Sequence, residues 1–148
     1  MHGALTDASA WNSVAARLRR SGLTTIAPAM PLRSLHSDAA YLSAFLDSID
    51  GPTMLVRYSY VASMMSLRSI AKPVVKALVF AVAFMPDAGE STGELNGRWP
   101  GGKLGEATVP IRSCPGGYEL HHKPKEFANV YAGDLPGDCR QTIEFRPW

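Results

Sequence analysis

The chain has 148 residues, 46% of them hydrophobic, which suits one core and one domain. Fifteen basic residues against thirteen acidic ones leave a formal net charge of +2, too small and dispersed for a nucleic-acid footprint. The longest apolar run, "ALVFAVAFM", falls well short of the roughly 20 residues a membrane helix needs, and no basic start precedes an apolar signal segment, so the expectation is a soluble, cytoplasmic protein with no membrane partner.

In "DASAWNSVAARLRRSG", Trp11, Val14, Ala15 and Leu18 recur at helical spacing, Asp7 or Ser9 can cap the start, and Gly22 can end the helix. "LTTIAP" follows as a short predicted strand stopped by Pro28, and "MPLRSLHS" reads as a turn. A second helix places Tyr41, Leu42, Phe45, Leu46 and Ile49 on one face and closes at Gly51 and Pro52. "TMLV" is the next predicted strand, residues Tyr60 to Ala71 the next helix, and "PVVKALVFAVAF" a long apolar strand of the kind covered on both faces. Strands alternating with helices imply right-handed crossovers and a parallel sheet. From Met85 onward glycine and proline dominate and the segment reads as loop, with a weak helical signal around "KPKEFANVYAGDL", where Phe127, Val130 and Tyr131 can share a face.

Cys114 and Cys139 lie far apart without a CxxC spacing, so a zinc site is unsupported, a disulfide is neither required nor excluded, and reduced thiols are the plain reading; no metal and no cofactor are expected. "PGGKLGEA" and "SCPGGYEL" lack the strand before and the Gly-Lys-Ser/Thr after that a phosphate loop requires, and read as turns. Trp99 and Tyr118 either line a cleft or pack a lid onto the domain. Met54, Met64 and Met65 read as core filler. Asp87 and Glu90, just past the last long strand, are assigned a structural role, and His36, His121 and His122 are read as solvent-facing.

"TMLVRYSYVASMM" carries the sharpest signal, an apolar run that reaches Tyr-Ser-Tyr and turns into helix-forming residues, as a strand hands a serine to a helix. Together with "HGALTDASAWNSVAARLRRSGLTTIAPAMPLRSLHSDAAYLSAFLDSIDGP" and "VKALVFAVAFMPDAGES", it resembles the bacterial α/β-hydrolase proteins related to plant methylesterases and hydroxynitrile lyases. The resemblance runs from His2 to about Ser91, and "FANVYAGDLP" looks like the end of that family's lid. It implies a partial α/β-hydrolase fold, three layers α/β/α around a mostly parallel sheet, with residues 1–84 as an incomplete core and 85–148 as a lid-like segment. It also implies Ser59 as nucleophile, the backbone N–H groups of Ala4 and Tyr60 as oxyanion donors, and His2 and Gly3 as shapers of the oxyanion loop.

Three departures accompany the resemblance. Arg57 and Val61 stand two before and two after the serine, where relatives have glycine; the expected turn is distorted, by an overpacking of about 1–3 kcal/mol that catalysis feels more than folding does. In relatives the acid and histidine that complete the triad follow later strands, whereas this sequence ends at "IEFRPW", about where the lid ends. Met1 stands where relatives have a whole strand between "TTIA" and "TMLV", so a gap in the sheet and self-association through exposed edges are expected. Two functions follow: a serine hydrolase acting on small ester or acyl substrates, impaired in this chain, or a non-catalytic hydrolase-like remnant that binds a small hydrophobic ligand or a partner chain.

Overall fold

The computed structural model describes residues 1–59, 71–84, 87, 90–114 and 117–136. The helix expected over 60–70, with Tyr60, Val61, Met64 and Met65, lies outside the described residues, as does Cys139.

The first helical segment opens as a 3-10 turn, η1 (Ala8–Trp11), because the Asp7 carboxylate accepts the Ser9 N–H at 2.7 Å. It continues as α1 (Asn12–Arg20), whose last turn carries Arg17, Arg19 and Arg20 at the negative end of the helix dipole. Gly22, at φ 82°, supplies the left-handed residue that ends it. α2 (Leu35–Asp47) starts where the Ser34 hydroxyl caps the Ser37 N–H, and it buries Ala39, Leu42 and Leu46 at helical spacing. That stripe packs with Met1, Met30 and Leu55 into the core, and Leu32, Phe45, Ile49, Val74 and Val75 border it.

β1 (Thr53–Tyr58) and β2 (Val75–Ala81) pair in parallel, with Leu55 opposite Leu78 and Arg57 opposite Phe80. Leu55 and Arg57 alternate inward on β1, which puts a guanidinium where a strand of this period normally buries an apolar group. Arg57 is only 1% exposed, and its guanidinium carbon lies 3.8 Å from the centre of the Phe80 ring opposite. Burial pulls its pKa down to about 10.

Three expectations are corrected here. Residues 24–27 form no strand: Pro28 is buried, Leu23 and Ile26 are exposed, and no ladder partner appears among the described residues. Beside β1, where the resemblance put a strand before His2, the Met1 backbone nitrogen donates to the Val56 carbonyl at 2.7 Å and the Met1 side chain enters the core. β2 is not covered on both faces, because Leu78 and Val79, which point to opposite sides, are both exposed, and Met54 is exposed rather than filling the core.

The segment after residue 90 is more regular than its glycine content suggested. α3 (Thr92–Gly97) is opened by a capping box in which Ser91 and Glu94 bond each other's backbone N–H. β3 (Thr108–Cys114) and β4 (Gly117–His122) form an antiparallel hairpin closing at Cys114 opposite Gly117, with an irregularity between Pro110 and Arg112 where proline cannot donate to the ladder. α4 (Pro124–Val130) follows, with proline in its first turn and Phe127 buried.

Candidate functional site around Ser59

Both parallel strands end in a left-handed residue: Ser59 has φ 54° directly after β1, and Val82 has φ 46° directly after β2. Non-glycine residues adopt this region at a cost of order 1–2 kcal/mol, so the turn at Ser59 persists only because its surroundings impose it. Gly3 is one of those surroundings. A Cβ built there would stand 2.7 Å from the Ser59 Cβ and 2.9 Å from Tyr58 Cδ1, closer than real Cβ atoms approach, so only glycine lets the N-terminal segment reach the serine.

His2 and Asp38 hold that segment in place. His2 is 2% exposed; its Nε2 accepts the Met30 backbone N–H at 2.9 Å and its Nδ1 lies 3.0 Å from the Gly3 carbonyl, which assigns the Nδ1–H tautomer. Burial pushes the His2 pKa down and keeps the ring neutral. The Gly3 carbonyl also accepts from the Thr6 hydroxyl at 3.2 Å, across a tight turn with Leu5 at φ 67°. The buried Asp38 carboxylate accepts the Arg33 backbone N–H at 3.1 Å and fixes the segment that faces His2.

The hairpin and α4 close over the same strand end through aromatic rings. Tyr58 meets Tyr131 edge-on with centroids 6.0 Å apart, and Tyr131 stacks on Phe127 at 5.5 Å. His122 meets Tyr131 at 4.8 Å and Phe127 at 5.2 Å, edge-on to both. Burial, with the Tyr58 side chain beside it, raises the Tyr131 pKa above the ordinary phenol value, against a smaller opposing effect of the Thr6 hydroxyl. His121 and His122 are therefore buried, not solvent-facing as the sequence suggested, and His122 packs against Phe127 and Tyr131. His121 Nε2 lies 3.5 Å from the Glu119 carboxylate, which also pairs with Arg33 at 2.8 Å.

No family model matches this sequence, and no curated protein matches it. Solved structures do. The crystal structure of a substituted form of PytH superposes with a TM-score of 0.71 at 20% identity, covering 92% of this chain and 61% of that one. A pyrethroid hydrolase from Sphingobium faniae JZ-2 gives 0.70 at 19% identity, covering 93% and 60%. An extracellular α/β-hydrolase from a Paenibacillus species, described as sharing structural and functional homology with tobacco salicylic acid binding protein 2, gives 0.65 at 18%, covering 95% and 61%. The chain carries a partial α/β-hydrolase fold. It spans about three-fifths of the length of these α/β-hydrolase structures.

Within this α/β-hydrolase fold, Ser59, Gly3 and His2 come together, and half-buried Ala4 follows Gly3 in the same turn. Tyr60 lies outside the described residues. Among the described residues no histidine, aspartate or glutamate hydrogen-bonds to the Ser59 hydroxyl. His36 is exposed on α2, as expected. Trp99 and Tyr118, at 75% and 74% exposed, neither line this site nor pack the lid. Asp87 and Glu90 are structural: the Glu90 carboxylate accepts the Asp87 N–H and pairs with Arg98. Sequence reasoning passed over Tyr58, His122 and Tyr131 as members of the site; the spacing of Phe127 and Tyr131 signalled a buried helix face, but nothing local said what it would meet. No helix of the described residues is long and apolar enough to cross a membrane.

Proposed function

We propose that the chain is a serine-hydrolase-type domain acting on small ester or acyl substrates, with Ser59 as its nucleophile and with low turnover. The observation that carries this reading is Ser59 itself, left-handed at the carboxyl end of a parallel strand with Gly3 pressed against it. In such a site the serine oxygen gives its proton to water and attacks the acyl carbon, and the carbonyl oxygen takes up negative charge. The ester C–O bond breaks as the leaving group departs with its electron pair and is protonated by solvent, and a second water then hydrolyses the acyl-serine to the acid and free serine. The backbone N–H groups of Ala4 and Tyr60 are assigned to the oxyanion. His2 orients the loop and takes no proton from the serine, since both of its ring nitrogens are engaged. A serine without its base loses a factor on the order of a million in turnover, which sets the expected low rate.

Release of p-nitrophenol from p-nitrophenyl acetate tests the reading. Wild type should show a slow release above background that Ser59→Ala abolishes; equal rates for the two would overturn it. The absence of a hydrogen-bonded base among the described residues supports a second reading, a non-catalytic domain that binds a small hydrophobic ligand or a partner chain. The uncovered Leu78 and Val79 of β2, with Met54 of β1, are assigned to self-association under either reading. A cytoplasmic setting goes with the reduced thiols expected of Cys114 and Cys139.

A further inference from the structure

Asn96 and Gly97 close α3, and they form the one Asn–Gly pair in the sequence; Asn12 precedes a serine and Asn129 a valine. Both residues are exposed, and nothing stands within 4 Å of where a Cβ on Gly97 would be. α3 has six residues, too few to hold a helix by themselves, and among the described residues it has no extensive packing against another helix or strand. Its start is fixed by the Ser91–Glu94 capping box, and the Glu90–Arg98 ion pair spans it from outside. Its end is loose: the Arg98 backbone N–H reaches the Leu95 carbonyl only at 3.4 Å. A helix end of this kind opens at little cost, and opening lets the Asn96 side chain swing onto the next peptide nitrogen.

We propose that Asn96–Gly97 is a site of spontaneous covalent modification, at which asparagine converts to aspartate and isoaspartate through a cyclic imide. The Gly97 peptide nitrogen gives its proton to hydroxide and attacks the Asn96 side-chain carbonyl carbon. The bond from that carbon to the amide nitrogen breaks, and ammonia leaves after taking a proton from water. A further water opens the imide at either of its carbonyls, and the new carboxyl group ionises. Glycine at the second position serves this step twice: it has no Cβ to crowd the attacking nitrogen, and it adopts the backbone angles of the ring without steric cost. Asn12 and Asn129 lie in α1 and α4 and are followed by residues that carry a side chain. The product sets a negative charge at the negative end of the α3 dipole, where it competes with Glu90 for Arg98, and isoaspartate also lengthens the main chain by one carbon.

Peptide mapping of the full chain, aged at body temperature in mildly alkaline buffer, tests the site. The tryptic peptide ending at Arg98 should gain the mass of an amide-to-acid conversion and split into two chromatographic forms, while the peptides holding Asn12 and Asn129 stay unchanged. Asn96→Gln should lose the conversion, because its longer side chain must close a larger ring, and Gly97→Ala should slow it. Persistence of the Asn96 amide in the folded chain, over a period in which a synthetic peptide of residues 91–98 converts, would overturn the site. So would conversion at Asn12 or Asn129 ahead of Asn96, or an undiminished mass gain in the same tryptic peptide of Asn96→Gln.

Discussion

Arg57 shows how the site tolerates a residue that the turn was not expected to hold. Its side chain lies on the inward face of β1 over Phe80, two residues before Ser59, and Ser59 still reaches the left-handed region. The guanidinium and its stem fill volume there as an apolar group would. Arg57→Ala should therefore cost about 2 kcal/mol through lost packing over Phe80, read from urea midpoints, and an unchanged midpoint would contradict the buried placement. At Gly3 the expected effect is sharper. Gly3→Ala places a methyl group 2.7 Å from the Ser59 Cβ, so overpacking should cost about 1–3 kcal/mol, and a serine displaced by about 1 Å should react about a hundredfold more slowly with an acylating probe.

At the scale of elements, the sequence was most legible where period and capping agreed. α2 was readable because Leu42, Phe45, Leu46 and Ile49 face the core as expected, although Tyr41, expected on the same face, is exposed, and β1 because its strand is short and bounded by Gly51 and Pro52. The predicted strand at 24–27 does not form because strand propensity without a ladder partner stabilises nothing, and no such partner appears among the described residues. The hairpin went unread because its Pro-Gly-Gly was recognised as a turn while the flanking runs, interrupted by Pro110, were not recognised as its two arms. α3 is a small test of such local signals. Its start depends on the Ser91 hydroxyl and the Glu94 carboxylate, so Ser91→Ala should cost about 1 kcal/mol locally and speed amide exchange at Glu94 and Leu95 roughly fivefold, with little change in global stability.

In the whole molecule, the hairpin and α4 are joined to the parallel sheet by Tyr58–Tyr131 and by the Arg33–Glu119 pair. The ion pair is exposed and contributes little, so among these two contacts the ring pair contributes more. Two of the histidines in this body, His2 and His122, have pKa values held below 6.5 by burial. The unfolded chain thus binds protons that the folded chain refuses, and their contribution to stability is present above about pH 6.5 and is lost as pH falls below it. Urea midpoints should drop between about pH 7.5 and about pH 5, and His122→Phe should remove part of that drop; a midpoint independent of pH would contradict the buried, neutral assignment. The partial α/β-hydrolase fold was legible through ordered motifs from His2 to Ser91, whereas the burial of His122 was not, because it depends on rings brought from Phe127 and Tyr131 by the fold. The proposal that Ser59 reacts, slowly and without a hydrogen-bonded base, as a nucleophile stands or falls at that one hydroxyl. Intact-mass analysis after exposure to a fluorophosphonate, with Ser59→Ala alongside, tests it most directly: a slow, single adduct on wild type that the variant lacks is the predicted result, and an unlabelled, cooperatively folded wild type would contradict it.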